Sequence, residues 1–438
     1  MKEEKLPKIL SISLSTWRKD SGIHTQTDLF KFWKKDYLAQ TYVKADLPNT
    51  PVCDKFFQIS ENAVIKSVFN RKMVGRRVEN TEVADEKTQI AMQQEKTLYA
   101  HARKRHSWFM TIMREIVWAL GRWKSKELDK FIEEVNPDVY FVPLYPVVYM
   151  GWIQLHILKK YPRPYVCYLM DDNYSYAACG YNPLAYLHRF MLRKVIKKLS
   201  ANCNKMFAIT ETGARETDYN FGTESIILTK GIDYSNLNYK KREISTPIRM
   251  VYTGKLVIGR AVSLAAISKA MGKLNKSDLR ITLDIYSPDV VDTETMKLLN
   301  SNGCRYCGKI DKEKVELVQN EADIVVFVES LEKKFRYAAR LSFSTKLTDY
   351  FKSGKCIFAI GDKAIAPIEY LKQNDAAVIA TDYEQIEERL QMLVEDKEKI
   401  QEYGQKAFDC GKKNHDEEQI KERFIQTFKE AAREECRM

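Results

Sequence analysis

The stretch 341–361, LSFSTKLTDYFKSGKCIFAIG, sets a lysine and an acid three residues apart, Lys346 and Asp349. Phe343, Leu347, Tyr350 and Phe351 recur around them at helical spacing, which predicts a helix with one apolar face. Ser344 or Thr345 is suited to cap its start and Gly354 its end, and CIFAIG reads as a short buried strand. A helix start presents unpaired N–H groups at the positive end of its dipole, so a lysine beside it makes a seat for phosphate. An acid one turn later can bind the hydroxyls of a ribose or another sugar. The alternative is an ordinary helix–strand unit bearing a solvated Lys–Asp pair.

A second cluster lies in IRMVYTGKLVIGR, 248–260, where a strand runs into a helix. Gly254–Lys255 and Gly259–Arg260 place two cations five residues apart on that loop, around backbone that glycine leaves bare. Mobile positive charge plus exposed N–H groups at a helix start suit a pyrophosphate. In the first half, the apolar run RPYVCYLM ends in Asp171 and Asp172, at a strand terminus where open α/β sheets place their ligands. Two acids there are candidates for contact with an acceptor hydroxyl or for proton removal, and equally for a helix N-cap. Gly22 and His24 stand in an earlier strand-to-helix turn. Gly22 is a weak signal for phosphate, and His24 reads as a general base or, more plainly, as a turn histidine.

Other chemistries find no support. Cys304 and Cys307 have zinc-ligand spacing but lack a second pair nearby. No Asp-x-Asp occurs to hold a divalent cation, no G-x-S-x-G elbow supports a serine hydrolase, and no Walker loop is present. The expectation is therefore a site with no metal and no cofactor. Nine cysteines, scattered and odd in number, fit reduced thiols in a cytoplasmic protein. The N-terminus MKEEKLPKILSISLS lacks the form of a secretory signal, and no apolar run is long enough to span a bilayer.

Alternating strand and helix patterns over 438 residues predict an α/β fold of two Rossmann-like domains, 1–235 and 248–438. The polar, turn-rich segment SNLNYKKREISTP joins them, and the tail after 382 is helical. The net charge of +12 is uneven: residues 1–240 hold 37 Lys and Arg against 26 Asp and Glu, while the remainder is nearly balanced. The first domain thus meets, or sits near, something anionic. Within it, helix 101–126 carries Trp108, Phe109, Ile112, Met113, Ile116, Val117 and Leu120 in one stripe, with seven basic residues and one acid, Glu115, elsewhere. Such a helix lies in an anionic membrane interface or packs on a sheet with a solvated basic back. Segment 186–205 has the same character. No nucleic-acid reading module is recognisable.

With these residues collected, the chain resembles the family 4 retaining glycosyltransferases of the bacterial envelope polysaccharide type. Their second domain opens on G-R-L, with K-G beginning six residues after the first glycine; here Gly254-Lys255-Leu256 and Arg260 fill that register with the two cations exchanged. Their later motif has two glutamates eight apart and a glycine five beyond the second. Asp349 and Gly354 match its latter half, while Leu341 replaces the first glutamate. Lys346 matches a P-x-K-x-x-E-Y variant, with Ser344 at the proline position, and KGID at 230–233 resembles the close of the family's first domain. LMDD stands where the family often has His-Asp.

The resemblance implies the GT-B fold, two Rossmann-like domains facing across a cleft, with C-terminal helices returning to the first. It implies transfer of a sugar from a nucleotide diphosphate sugar, with retention, to a saccharide acceptor. Gly254, Lys255, Arg260, Ser344, Thr345, Lys346 and Asp349 would hold the donor, Gly22 would serve a phosphate or acceptor loop, and Asp171, Asp172 and His24 would be the catalytic candidates. The basic first domain adds the expectation of a lipid-linked acceptor and an anionic membrane surface, with the protein peripheral at the inner face of the plasma membrane. The competing readings are a sugar-nucleotide epimerase or phosphorylase of the same fold, and a non-catalytic binding subunit.

Overall fold

The computed structural model describes residues 6–19, 24–81, 83–86, 88–90, 92–95, 97 and 107–438. Contacts divide the chain into two compact units, residues 1–228 with 421–438, and residues 229–420.

The first unit is built on an eight-stranded sheet in the order β4-β3-β2-β1-β5-β6-β7-β8. Its strands are β1 (Ile9–Ser13), β2 (Leu38–Tyr42), β3 (Lys55–Gln58), β4 (Arg76–Glu79), β5 (Val139–Pro143), β6 (Tyr165–Leu169), β7 (Lys205–Ala208) and β8 (Ser225–Ile227). All pair in parallel except β4, an antiparallel edge. Every residue of β1, β2, β5 and β6 is buried, as expected of parallel strands covered by helices on both faces.

The second unit has a six-stranded, wholly parallel sheet in the order β11-β10-β9-β12-β13-β14. The strands are β9 (Ile248–Thr253), β10 (Ile281–Tyr286), β11 (Cys304–Gly308), β12 (Ile324–Val328), β13 (Cys356–Ile360) and β14 (Val378–Ala380). This is the doubly wound order, in which the winding reverses between β9 and β12 and opens a crevice beyond their carboxyl ends. Ile248, Met250, Leu283, Ile285, Ile324, Val326 and Phe358 form its core with the covering helices.

One boundary differs from the sequence expectation, and the last helix returns to the first unit as the resemblance implies. Residues 229–247, including the end of the expected first domain, belong to the second unit, where Lys397 Nζ donates to the carbonyl of Ser245 (3.0 Å) and Tyr239 to that of Gln401 (2.8 Å). Residues 421–438 belong to the first, because Phe424 and Phe428 of the helix Glu417–Arg433 are buried among Phe30, Trp33, Phe141 and Phe207. The helix of 61–70 is preceded by Ser60 at its cap, with Glu61 already inside.

The helix Trp108–Leu120 turns differently from its apolar stripe. Its buried residues are Glu115 and Trp118, while Phe109, Met113, Ile116 and Leu120 are exposed. The reason is polar: Glu115 accepts from the backbone N–H groups of Val148 (2.9 Å) and Tyr149 (2.7 Å) at the start of the helix Val148–Lys160, and pairs with His188 (3.0 Å). Trp118 stacks on Tyr149 at 4.4 Å, which fixes the same face inward. The basic run 103–105 lies outside the described residues.

Candidate functional site

A cavity of about 260 Å³ opens in the second unit beyond the carboxyl ends of β9 and β12, where the winding reverses. Gly254, Lys255 and Arg260 line it from the β9 loop, Ser344 and Lys346 from the start of the helix Thr345–Ser353, and Glu329 from the residue after β12. Five of the seven residues expected to hold a donor therefore share one wall, although they come from segments about ninety positions apart.

The local sequence explains the placement. β9 delivers its chain to Gly254, whose N–H bonds to the Tyr286 carbonyl (2.9 Å). Asp289 pins the loop by accepting from the Leu256 N–H (2.7 Å). Gly259 then takes a left-handed φ of +74° to cap the helix Arg260–Leu274; a side chain there would strike Ser330 and Phe335. Ser344 caps the facing helix with an extended backbone and without a side-chain cap bond, so its hydroxyl is not spent on the helix's own N–H groups. Gly354 ends that helix at φ +61°, and Tyr350 anchors it to β12 by donating to the Val326 carbonyl (3.2 Å).

Lys346 is the cation most altered by its surroundings. Its ammonium lies over the bare backbone of Gly254, where a Cβ would overlap it, and 5.1 Å above the Tyr252 ring. Burial, and then the Arg260 charge, bring its pKa down to about 8. Arg260 is held in a fork by Glu329: Nη2 to Oε1 at 2.7 Å and Nε to Oε2 at 3.1 Å, with Nε also donating to the Val328 carbonyl (3.2 Å). Glu329 is buried, so the fork fixes the guanidinium at the cavity wall. Tyr252 donates to the Lys255 carbonyl (2.6 Å), tying the loop to β9. Three cations thus face one carboxylate, a positive excess over bare glycine backbone at a helix start, which is chemistry for a dianion.

Tyr252 and Glu329 were not singled out by the sequence. Their signal was positional only: Tyr252 stands two residues before Gly254, and Glu329 directly after the apolar run of β12. Nothing in the chain announces a pair formed by Arg260 with a residue 69 positions away.

The remaining expected residues are dispersed. Thr345 is exposed at the helix start, and Asp349, one turn on, is exposed and pairs with Lys230 (3.4 Å) outside the cavity lining. Lys230 belongs to the KGID run, so the two family-like segments meet through this ion pair. In the first unit, Asp171 is exposed just past β6, and desolvation by its surroundings, then the Asp172 charge, raise its carboxyl pKa. Asp172 Oδ1 accepts from the Ser175 N–H (2.9 Å), a turn-capping role of the kind weighed as the alternative to chemistry. Gly22 lies outside the described residues; His24 opens the helix His24–Phe30, and its side chain is not described. Among the described residues, no group of three or more His, Cys, Asp or Glu side chains could hold a metal ion.

No protein-family model matches the chain, and no curated protein sequence matches it. Solved structures do. HepE of Anabaena, crystallised in complex with UDP, is 11% identical, with 96% of this chain and 99% of that chain aligned and a TM-score of 0.60. TarM is 10% identical, over 98% of this chain and 100% of its own, with a TM-score of 0.60. Sucrose-phosphate synthase from Thermosynechococcus elongatus is 10% identical, over 96% and 99%, with a TM-score of 0.57. Likeness over nearly the whole of both chains at such identity speaks for the fold: the two parallel-sheet units of the GT-B architecture.

Proposed function

We propose that the chain is a glycosyltransferase whose second unit binds the diphosphate of a nucleotide sugar in the cavity between β9 and β12. The observation behind this reading is the convergence of Gly254, Lys255, Arg260, Ser344 and Lys346 on one wall at the point where the sheet reverses. The fold is the one found in HepE with UDP bound, so a uridine nucleotide is the first donor to test.

In the reaction, the bond from the anomeric carbon to the diphosphate oxygen breaks and a bond to the acceptor oxygen forms. The acceptor hydroxyl loses its proton, and the leaving diphosphate gains negative charge. Lys255, Arg260, Lys346 and the N–H groups at the start of Thr345–Ser353 stabilise that charge, work that does not call for a metal ion in this reading. Ser344 and Thr345 bind the phosphates, and Asp349 the ribose once Lys230 gives way. Retention at the anomeric carbon follows from the sequence resemblance, and with it attack on the face the leaving group vacates. The first unit takes the acceptor, a lipid-linked saccharide of envelope or exopolysaccharide synthesis, with Asp171, whose raised pKa suits proton transfer, as the residue nearest to that task. His24 and Gly22 remain further candidates on the same unit.

A thermal-shift screen against UDP-, GDP-, ADP-, CMP- and dTDP-sugars tests the donor, since a ligand of the folded state raises its melting temperature by mass action. At least one nucleotide diphosphate sugar should stabilise the chain, and nucleoside diphosphate should be released only when acceptor is added. Release without acceptor would favour an epimerase, and the absence of any stabilisation would contradict donor binding.

A further inference from the structure

The helix Trp108–Leu120 spends its buried side on a carboxylate and an indole and leaves Phe109, Met113, Ile116 and Leu120 facing solvent at i, i+4, i+7 and i+11. Phe109 is 61% and Leu120 63% exposed. An apolar stripe at that spacing ordinarily faces a core. Here the Glu115 bonds to Val148, Tyr149 and His188 hold the stripe outward. The helix Pro183–Ala201 packs beside it and adds Tyr186, Leu187 and Phe190, all exposed. On its other side lies the helix Glu61–Asn70, whose Phe69 is 83% exposed. Three adjacent helices of one unit therefore present large apolar side chains to water, which marks an interaction surface.

On the two longer helices the exposed charge is of one sign. Pro183–Ala201 contains no acid, the one acid of Trp108–Leu120 is the buried Glu115, exposed Lys194 and Lys197 stand four and seven residues after Phe190 on the same helix, and exposed Arg122 and Lys124 follow Leu120 in the chain. Lys194 Nζ lies 4.4 Å over the Phe190 ring, its stem along the apolar surface and its charge at the rim. Apolar residues in the middle with cations beside them fit the boundary between acyl chains and anionic headgroups. A nucleic acid would match the charge but not the aliphatic stripe.

We propose that this face docks the chain on an anionic phospholipid bilayer, with the two helices lying in the interface plane. Among the described residues no helix is long and apolar enough to cross a membrane, so the attachment is to one surface. The inference deepens the reading of a lipid-linked acceptor by naming the surface that brings the first unit to it.

The test is cosedimentation of the full chain with phosphatidylglycerol–phosphatidylcholine vesicles, against phosphatidylcholine alone, at low and high salt. The chain should bind the anionic vesicles, with the bound fraction falling as salt rises. Ile116→Glu/Phe190→Glu should reduce binding at least tenfold with an unchanged melting temperature. Lys194→Glu/Lys197→Glu, which leaves the apolar residues in place, should weaken it several-fold and flatten the salt dependence. Binding by both variants equal to the parent chain would overturn the proposal. So would a parent chain that ignores anionic vesicles, or one that forms a dimer dissociated by Ile116→Glu, which would assign the face to a second copy. The assay contains no nucleotide, so its failure would leave the donor site standing.

Discussion

Lys346 and Glu329 set the charge of the cavity against each other. In the free chain Lys346 gives up its proton near pH 8, whereas a bound diphosphate favours the ammonium. Binding near and above that pH must therefore take up a proton, and affinity should fall as pH rises through about 8. Calorimetry of nucleoside diphosphate binding at pH 7, 8 and 9, in buffers of different ionisation heat, measures both effects. Lys346→Met should weaken binding about ten- to a hundredfold, the range of a charged hydrogen bond worth about 1.5–3 kcal/mol, and abolish the proton uptake. Glu329 raises the Lys346 pKa through space, so Glu329→Gln should move the pH profile to lower pH. A profile unmoved by either change would remove Lys346 from the site. Of this chemistry the sequence displayed the cations and not their tuning: Lys255, Arg260 and Lys346 were visible as types at spacings, but a lowered pKa arises from burial among groups distant in the chain.

The helix Thr345–Ser353 is held in place from behind by His415. That imidazole is buried, shares hydrogen bonds with Thr229 Oγ1 (2.8 Å) and the Tyr370 hydroxyl (2.8 Å), and lies against the rings of Phe343 and Phe351 at 5.2 and 5.4 Å. Burial lowers its pKa to about 4. The unfolded chain takes up this proton near pH 6.5 and the folded chain only near 4, so stability should fall as pH drops through that window, by about 3 kcal/mol from this group. His415→Gln should be less stable than the parent at pH 7, with a gap that narrows towards pH 4; parallel unfolding curves in urea would contradict the assignment. Gly259→Ala should also lower the melting temperature, since alanine would be strained at φ +74° and would press on Ser330 and Phe335. The caps and strands of this region were legible, because Ser344, Gly354 and the run CIFAIG are local signals. The orientation of Trp108–Leu120 was not, because the period of its apolar residues is the same whether they face a core or the solvent. What decides is a carboxylate whose partners lie 33 to 73 residues further on.

On the scale of the whole chain, the last residues complete the first unit. Phe424 and Phe428 are buried against Phe30, Trp33 and Phe207, so Phe428→Ala should cost about 3–5 kcal/mol of stability, read as a lowered unfolding midpoint in calorimetry; an unchanged midpoint would contradict this packing. The two parallel sheets were readable from alternating strand and helix patterns. The return of residues 421–438 to the first sheet could be expected from the resemblance, but the amphipathic tail alone does not say which core it joins. The central claim concerns the second unit, and a crystal structure of the chain soaked with UDP or another nucleoside diphosphate tests it most directly. The account predicts diphosphate density beyond β9 and β12, within hydrogen-bond reach of Lys255, Arg260 and Lys346 and of the N–H groups at the start of Thr345–Ser353. Nucleotide bound elsewhere, with that cavity empty, would contradict it.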